Sequence, residues 1–80
     1  MQLLNVSGTT AVPIGTSPFF EGQEVLMISA AALTLQGSDD GSTGWTTIGA
    51  VTVAGVIQQV TLNYPFIRVS TAGLIQLFNN

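Results

Sequence analysis

The stretch from Leu33 to Ile48 sets the terms for the rest of the chain. Leu33 and Leu35 alternate with Thr34 and Gln36, the two-residue period of a strand with one buried face. Gly37, Ser38, Asp39, Asp40 and Gly41 follow. This is a turn sequence with a mechanism: an Asp carboxylate accepts bonds from nearby backbone N–H groups, and Gly takes positive φ without steric cost. Trp45, Thr46, Thr47 and Ile48 then resume strand composition. A strand, a polar turn and a returning strand commit the region to antiparallel β-structure. No helical period of apolar residues is sustained anywhere in the chain.

Short β-like runs recur on both sides. Leu4 and Val6 share one face, Leu3 and Asn5 the other. Ser7 and Gly8 signal a turn, and residues 9–14 resume β composition; Pro13 lacks a ladder donor, which predicts an edge strand or a strand end. Residues 23–29 read as a central strand, apolar on both faces after Glu24. Ala30, Ala31 and Ala32 are too few for a helix and predict a bend or bulge before Leu33. Trp45 is expected to anchor the core, with a minor break or bulge at Gly49 and Ala50. Val51, Thr52 and Val53 alternate, Ala54 and Gly55 turn, and Val60 and Leu62 share a face of the next strand. Pro65 pushes Tyr64 toward extended conformations. Ile67 and Val69 point inward, and Thr71, Ala72 and Gly73 are expected to close a short hairpin to a last strand over residues 74–78. The sum is an all-β fold: a small antiparallel β-sandwich or flattened barrel of about seven or eight short strands. The whole chain, residues 1–80, is expected to form this single domain.

A domain of 80 residues buries only about 60% of the surface its unfolded chain exposes. Small folds add a disulfide, a metal or a partner subunit. The chain has no Cys and no His, which removes disulfides and argues against a structural zinc site. Association with other chains is the remaining device. Charge points the same way: charged residues make up 6% of the chain, against about 25% in typical soluble domains. Arg68 is the single cation, so the surface is covered by Thr, Ser, Gln, Asn and Gly, with little like-charge repulsion to keep copies apart. One Arg cannot neutralise a run of phosphates, so neither nucleic acid nor an anionic membrane is an expected partner. The N-terminal residues lack the basic and apolar regions of a signal peptide, and the longest apolar stretch, from Val25 to Leu35, is too short to span a bilayer. Synthesis in a cytoplasm is the expectation.

Chemistry has little to work with. Nucleophilic catalysis needs a nucleophile beside a base, and there is no Cys, His or Lys. The four carboxylates, Glu21, Glu24, Asp39 and Asp40, flank a loop or form a turn, and no enzyme activity and no cofactor are expected. Asp39, Asp40 and Ser42 offer a few oxygens to Ca²⁺, but the D-x-D-x-D-G loop is absent and a capped turn in water is the reading. Arg68 either pairs with a carboxylate or sits solvated on its strand. In the loop over residues 15–22, Phe19 and Phe20 point to opposite faces if the chain is extended. A loop that folds back buries both; the rival is an aromatic anchor for a neighbouring subunit.

From Gly37 to Ile48, with Phe66, Ile67, Arg68 and Val69 later, the chain resembles discoidin-like sandwiches, in which an S-D-D-G-x-T-W turn precedes a Y-I-R strand. Here Gly44 precedes Trp45 and Phe66 stands where Tyr is usual, and the sugar- or lipid-binding loops do not carry over. In its Thr/Gly/Ala/Val composition, this turn and the closing Ser70-Thr71-Ala72-Gly73 segment, the whole chain also resembles capsid decoration (cement) proteins of tailed bacteriophages. That resemblance implies a virion protein on the capsid surface, made in the host cytoplasm, that binds the major capsid protein and staples neighbouring subunits. It also implies self-association, commonly as a trimer. The expected contact segments are residues 1–6 and 16–22, with Leu3, Leu4, Phe19, Phe20 and Arg68 as contact residues. The alternative is a carbohydrate- or receptor-binding module of a tail or fibre, using Trp45, Tyr64 and Phe66.

Overall fold

The computed structural model describes residues 2–15 and 19–79. Met1, Thr16, Ser17 and Pro18, parts of the expected contact segments, lie outside the described residues. Among the described residues eight strands form: β1 (Gln2–Ser7), β2 (Val12–Pro13), β3 (Glu24–Ser29), β4 (Leu33–Ser38), β5 (Thr46–Val51), β6 (Gln58–Thr61), β7 (Phe66–Val69) and β8 (Leu74–Asn79). They make two four-stranded sheets, in the orders β1-β8-β3-β6 and β2-β7-β4-β5, and every neighbouring pair is antiparallel. The result is a thin slab whose Cα atoms extend 29 × 27 × 15 Å.

The order follows from the central turn. Gln2 lies opposite Asn79, Val12 opposite Ile67, Glu24 opposite Thr61 and Leu33 opposite Val51. The midpoint of each pair falls within residues 39–43. The chain is therefore one long hairpin bent at its Asp-Gly turn and then rolled, so that β3 meets β8 and β4 meets β7. That is jelly-roll topology, two Greek keys closed into a double sheet.

The core lies between the layers. The first sheet contributes Val6, Val25, Met27, Val60, Ile75 and Leu77; the second contributes Leu35, Val51, Ile67 and Val69; Phe19 and Leu62 plug it from connecting segments. Each such side chain contributes about 1.5–3 kcal/mol when fully buried. The β6–β7 connection passes close enough to β4 that Gly37 is required where Tyr64 crosses it: a Cβ there would clash with Tyr64 Cδ2, Cβ and Cγ.

Three local expectations are corrected. Thr71, Ala72 and Gly73 do not close a hairpin, because β7 belongs to the second sheet and β8 to the first. The segment instead crosses between layers at a corner where Gly8 N–H donates to Gly73 O (2.7 Å) and Val69 N–H donates to Gly8 O (3.0 Å). The alternation through Val53 does not extend the strand: β5 ends at Val51 and Val53 is exposed, because the chain leaves the sheet to place Gly55 N–H on Ser29 O (2.8 Å). The bulge falls at Ile48, one residue before Gly49: Leu35 pairs with Gly49 and Gln36 with Thr47, which lets Ile48 pack against the core.

Candidate interaction surface

The Asp-Gly turn is a closed hydrogen-bonded unit. Ser38 is fully buried, and its Oγ accepts from the N–H groups of Asp40 (3.3 Å) and Gly41 (3.1 Å). Asp40 Oδ1 accepts from Ser42 N–H (2.9 Å) and Thr43 N–H (2.8 Å), and Oδ2 accepts from Thr43 Oγ1 (2.8 Å). The backbone N–H of Thr43 first, then those bonds from Ser42 and from the side chains, hold the Asp40 carboxyl well below the usual carboxylate range. The carboxylate is committed to its own turn. Among the described residues no three His, Cys, Asp or Glu side chains gather as a metal-ligand set.

Arg68 is placed by the second sheet. Its register partner on β4 is Gln36, and Arg68 Nε donates to Gln36 Oε1 (3.0 Å). The guanidinium carbon lies 4.1 Å from the Trp45 ring centroid, a cation–π contact. Among the described residues Arg68 is thus held by an amide and an aromatic face rather than by a carboxylate. Trp45, expected in the core, is half-buried beneath it. The other rings proposed for sugar binding are also engaged: Tyr64 packs on Gly37, and Phe66 covers Gly41, where a Cβ would lie 2.9 Å from Phe66 Cδ1.

The outer face of the first sheet has a different character. Leu3 of β1 pairs with Phe78 of β8, Phe78 with Leu26 of β3, and Leu26 with Gln59 of β6. Alternation turns Leu4 and Val6 inward and leaves this row outward: Leu3 is 52% exposed, Leu26 37% and Phe78 half-buried. The next row holds Asn5, Gln76 and Ile28, with Gln76 Nε2 donating to Asn5 Oδ1 (3.3 Å). At one border Gln59 Nε2 donates to Glu24 Oε2. A shallow groove of about 270 Å³, lined by Gln23, Glu24, Leu26, Gln59 and Phe78 among others, runs along that border. Separately, the β5–β6 loop exposes the apolar side chains of Val53, Val56 and Ile57. The outer face of the second sheet carries Thr34, Gln36, Thr47 and Arg68 instead.

The expected contact residues therefore divide. Leu3 and Phe20 are exposed, Phe20 at 57%. Leu4 packs against the core. Phe19 is fully buried, so the two rings diverge as the extended reading has it, and the folded-back loop that buries both does not form. Arg68 lies on the opposite sheet from Leu3. Leu26, Phe78 and the residue 53–57 loop were not anticipated. For Leu26 the signal was the run after Glu24 that is apolar on both faces, since one of those faces must point away from the core; Phe78 and the residue 53–57 loop carried no such local signal. Comparison with protein-family models, curated proteins and solved structures finds no match for this chain.

Proposed function

We propose that this chain is a structural virion protein: a capsid decoration, or cement, subunit on the outer surface of a tailed-bacteriophage head, where it stabilises contacts between major capsid proteins. The observation that carries the reading is the outward row of Leu3, Phe78 and Leu26, in register across three strands of one sheet. A body with 6% charged residues presents that row with little electrostatic repulsion against a neighbour. Jelly rolls recur in viral capsid proteins and in lectins, which supports the reading only as an analogy of fold.

The mechanism is area burial summed over many copies. Covering the exposed parts of these three side chains stabilises a contact by on the order of 1 kcal/mol each. One copy holds weakly; a lattice of linked copies holds through avidity. The contact is apolar and hydrogen-bonded, so salt does not screen it. The carbohydrate-binding alternative needs a free aromatic platform, and Trp45, Tyr64 and Phe66 each already cover a neighbour. The test is co-sedimentation of the purified chain with heads of the virus that encodes it, at ~0.1 and ~1 M NaCl. Retention at both salts is expected. Failure to bind, release at the higher salt, or a specific signal on a glycan array would overturn the reading.

A further inference from the structure

The four sheet edges are not equally protected. The β2 edge is two residues long and contains Pro13; β6 is four residues; β5 is interrupted by the bulge at Ile48. Short strands, proline and bulges are the devices that stop an edge from pairing with another chain. β1 has none of them. It is six residues of uncharged sequence, and its register against β8 is unbroken.

The orientation of its backbone is fixed by the corner. Gly8 N–H donates to Gly73 O, which places Gly8 and Gly73 in the hydrogen-bonded set of the β1·β8 ladder. Antiparallel pairs alternate, so Val6 with Ile75 and Leu4 with Leu77 belong to the same set. The N–H and C=O groups of Leu3, Asn5 and Ser7 therefore face away from β8, toward the open side of β1.

We infer that two copies of this chain join through β1, antiparallel and centred on Asn5, to make one continuous eight-stranded sheet. In that register Leu3 pairs with Ser7 of the second copy and Asn5 with its own counterpart, so all three open donors and acceptors are matched. On the inner face, the partly buried Leu4 falls opposite Val6 of the second copy, extending the core across the seam. On the outer face, Asn5 accepts from Gln76 within its own chain, and its amide N–H remains to donate across the axis. The five charged residues, Glu21, Glu24, Asp39, Asp40 and Arg68, all lie off β1 and β8. Among the described residues no charged side chain of β1 or β8 opposes self-pairing, and the two-fold axis closes the edge instead of propagating it. The contact makes a dimer, where the family resemblance implies a trimer. It goes beyond the virion reading and does not depend on it.

The test is native mass spectrometry and residue-resolved amide exchange on the full chain at ~0.1 mM. The expected species has twice the 8.3 kDa chain mass. The amides of Leu3, Asn5 and Ser7 exchange at least about tenfold more slowly than in a monomer. Asn5→Lys places like charges on the axis and raises the dimer dissociation constant about tenfold or more. It frees those three amides while Leu4 and Val6, bonded to β8, stay protected. Asn5→Pro, which removes an outward backbone donor together with the side-chain bond to Gln76, has the same effect on mass. Thr47→Lys, on the β5 edge, leaves the dimer intact. A monomeric wild type, a trimer, or dissociation by Thr47→Lys but not by Asn5→Lys would each overturn the inference. No capsid enters these measurements, so they fail or succeed separately from the co-sedimentation above.

Discussion

Replacing Gly37 with Ala tests the rolled hairpin at its tightest point. Gly37 sits on β4 next to the central turn, is buried, and needs no positive φ. Its obstacle is Tyr64. A Cβ at residue 37 would lie 2.4, 2.7 and 2.7 Å from Tyr64 Cδ2, Cβ and Cγ, where ordinary contact begins at 3.4 Å. These atoms are the root of the ring, not a flexible tip, and the backbone beside them is tied by Ile14 N–H donating to Pro65 O (2.7 Å). Overpacking of this kind costs about 1–3 kcal/mol. The alanine also restricts the unfolded chain, which offsets about 0.4–1 kcal/mol. The net expectation is a loss of about 1–2 kcal/mol, or a fall in Tm of roughly 4–16 °C for a domain of this size. Thermal unfolding by circular dichroism reads it. In a Tyr64→Ala background the same substitution should cost at least about 0.5 kcal/mol less, because most of the clashing atoms are gone. A neutral Gly37→Ala, or an equal cost in both backgrounds, would refute the packing of Tyr64 on Gly37. It would also return Tyr64 to the pool of free aromatic platforms.

Two further predictions concern the turn and the cation. The Asp40 carboxyl has a folded-state pKa below its unfolded value, so ionisation favours the fold. That contribution is complete above about pH 4 and disappears as pH falls through the lower, folded value. Asp40→Asn should lower Tm at neutral pH, and the gap from wild type should narrow steadily below about pH 4; a gap of constant size down to pH ~2 would contradict the role given to the carboxylate. Arg68→Ala should destabilise by about 1 kcal/mol and shift Trp45 fluorescence, since the cation–π contact and the bond to Gln36 are both lost. Arg68→Lys should recover only part, lacking the planar donor that meets Gln36; identical emission in all three proteins would count against the contact.

The strands were legible because period-two alternation and turn chemistry are local. Leu4 and Val6 on one face, Pro13 on an edge strand, Ile67 and Val69 inward, and the bend at Ala30 and Ala31 all came from neighbours in sequence; which face of the first strand turns inward did not. What local pattern does not carry is which strand each one meets. A three-residue link with a Gly looks the same whether it closes a hairpin or crosses between layers, and residues 71–73 do the second. Long-range pairing also decided the surface. Leu3 and Leu26 are unremarkable alone and form a row only because Phe78 lies between them. Phe19 and Phe20 show the limit from the other side. Alternation says that they diverge, and only the closing of the sandwich says which ring is enclosed. The lone cation invited a carboxylate partner, but the register opposite Arg68 supplies Gln36.

If the inferred pairing of copies through β1 holds, the chain must unfold in a concentration-dependent way. The direct measurement is the thermal midpoint of the purified chain at ~5 and ~500 μM, where mass action favours the associated state by about 2.7 kcal/mol per dimer. The account predicts a midpoint several degrees higher in the concentrated sample. A midpoint identical at both concentrations, with the chain monodisperse and monomeric throughout, would contradict it.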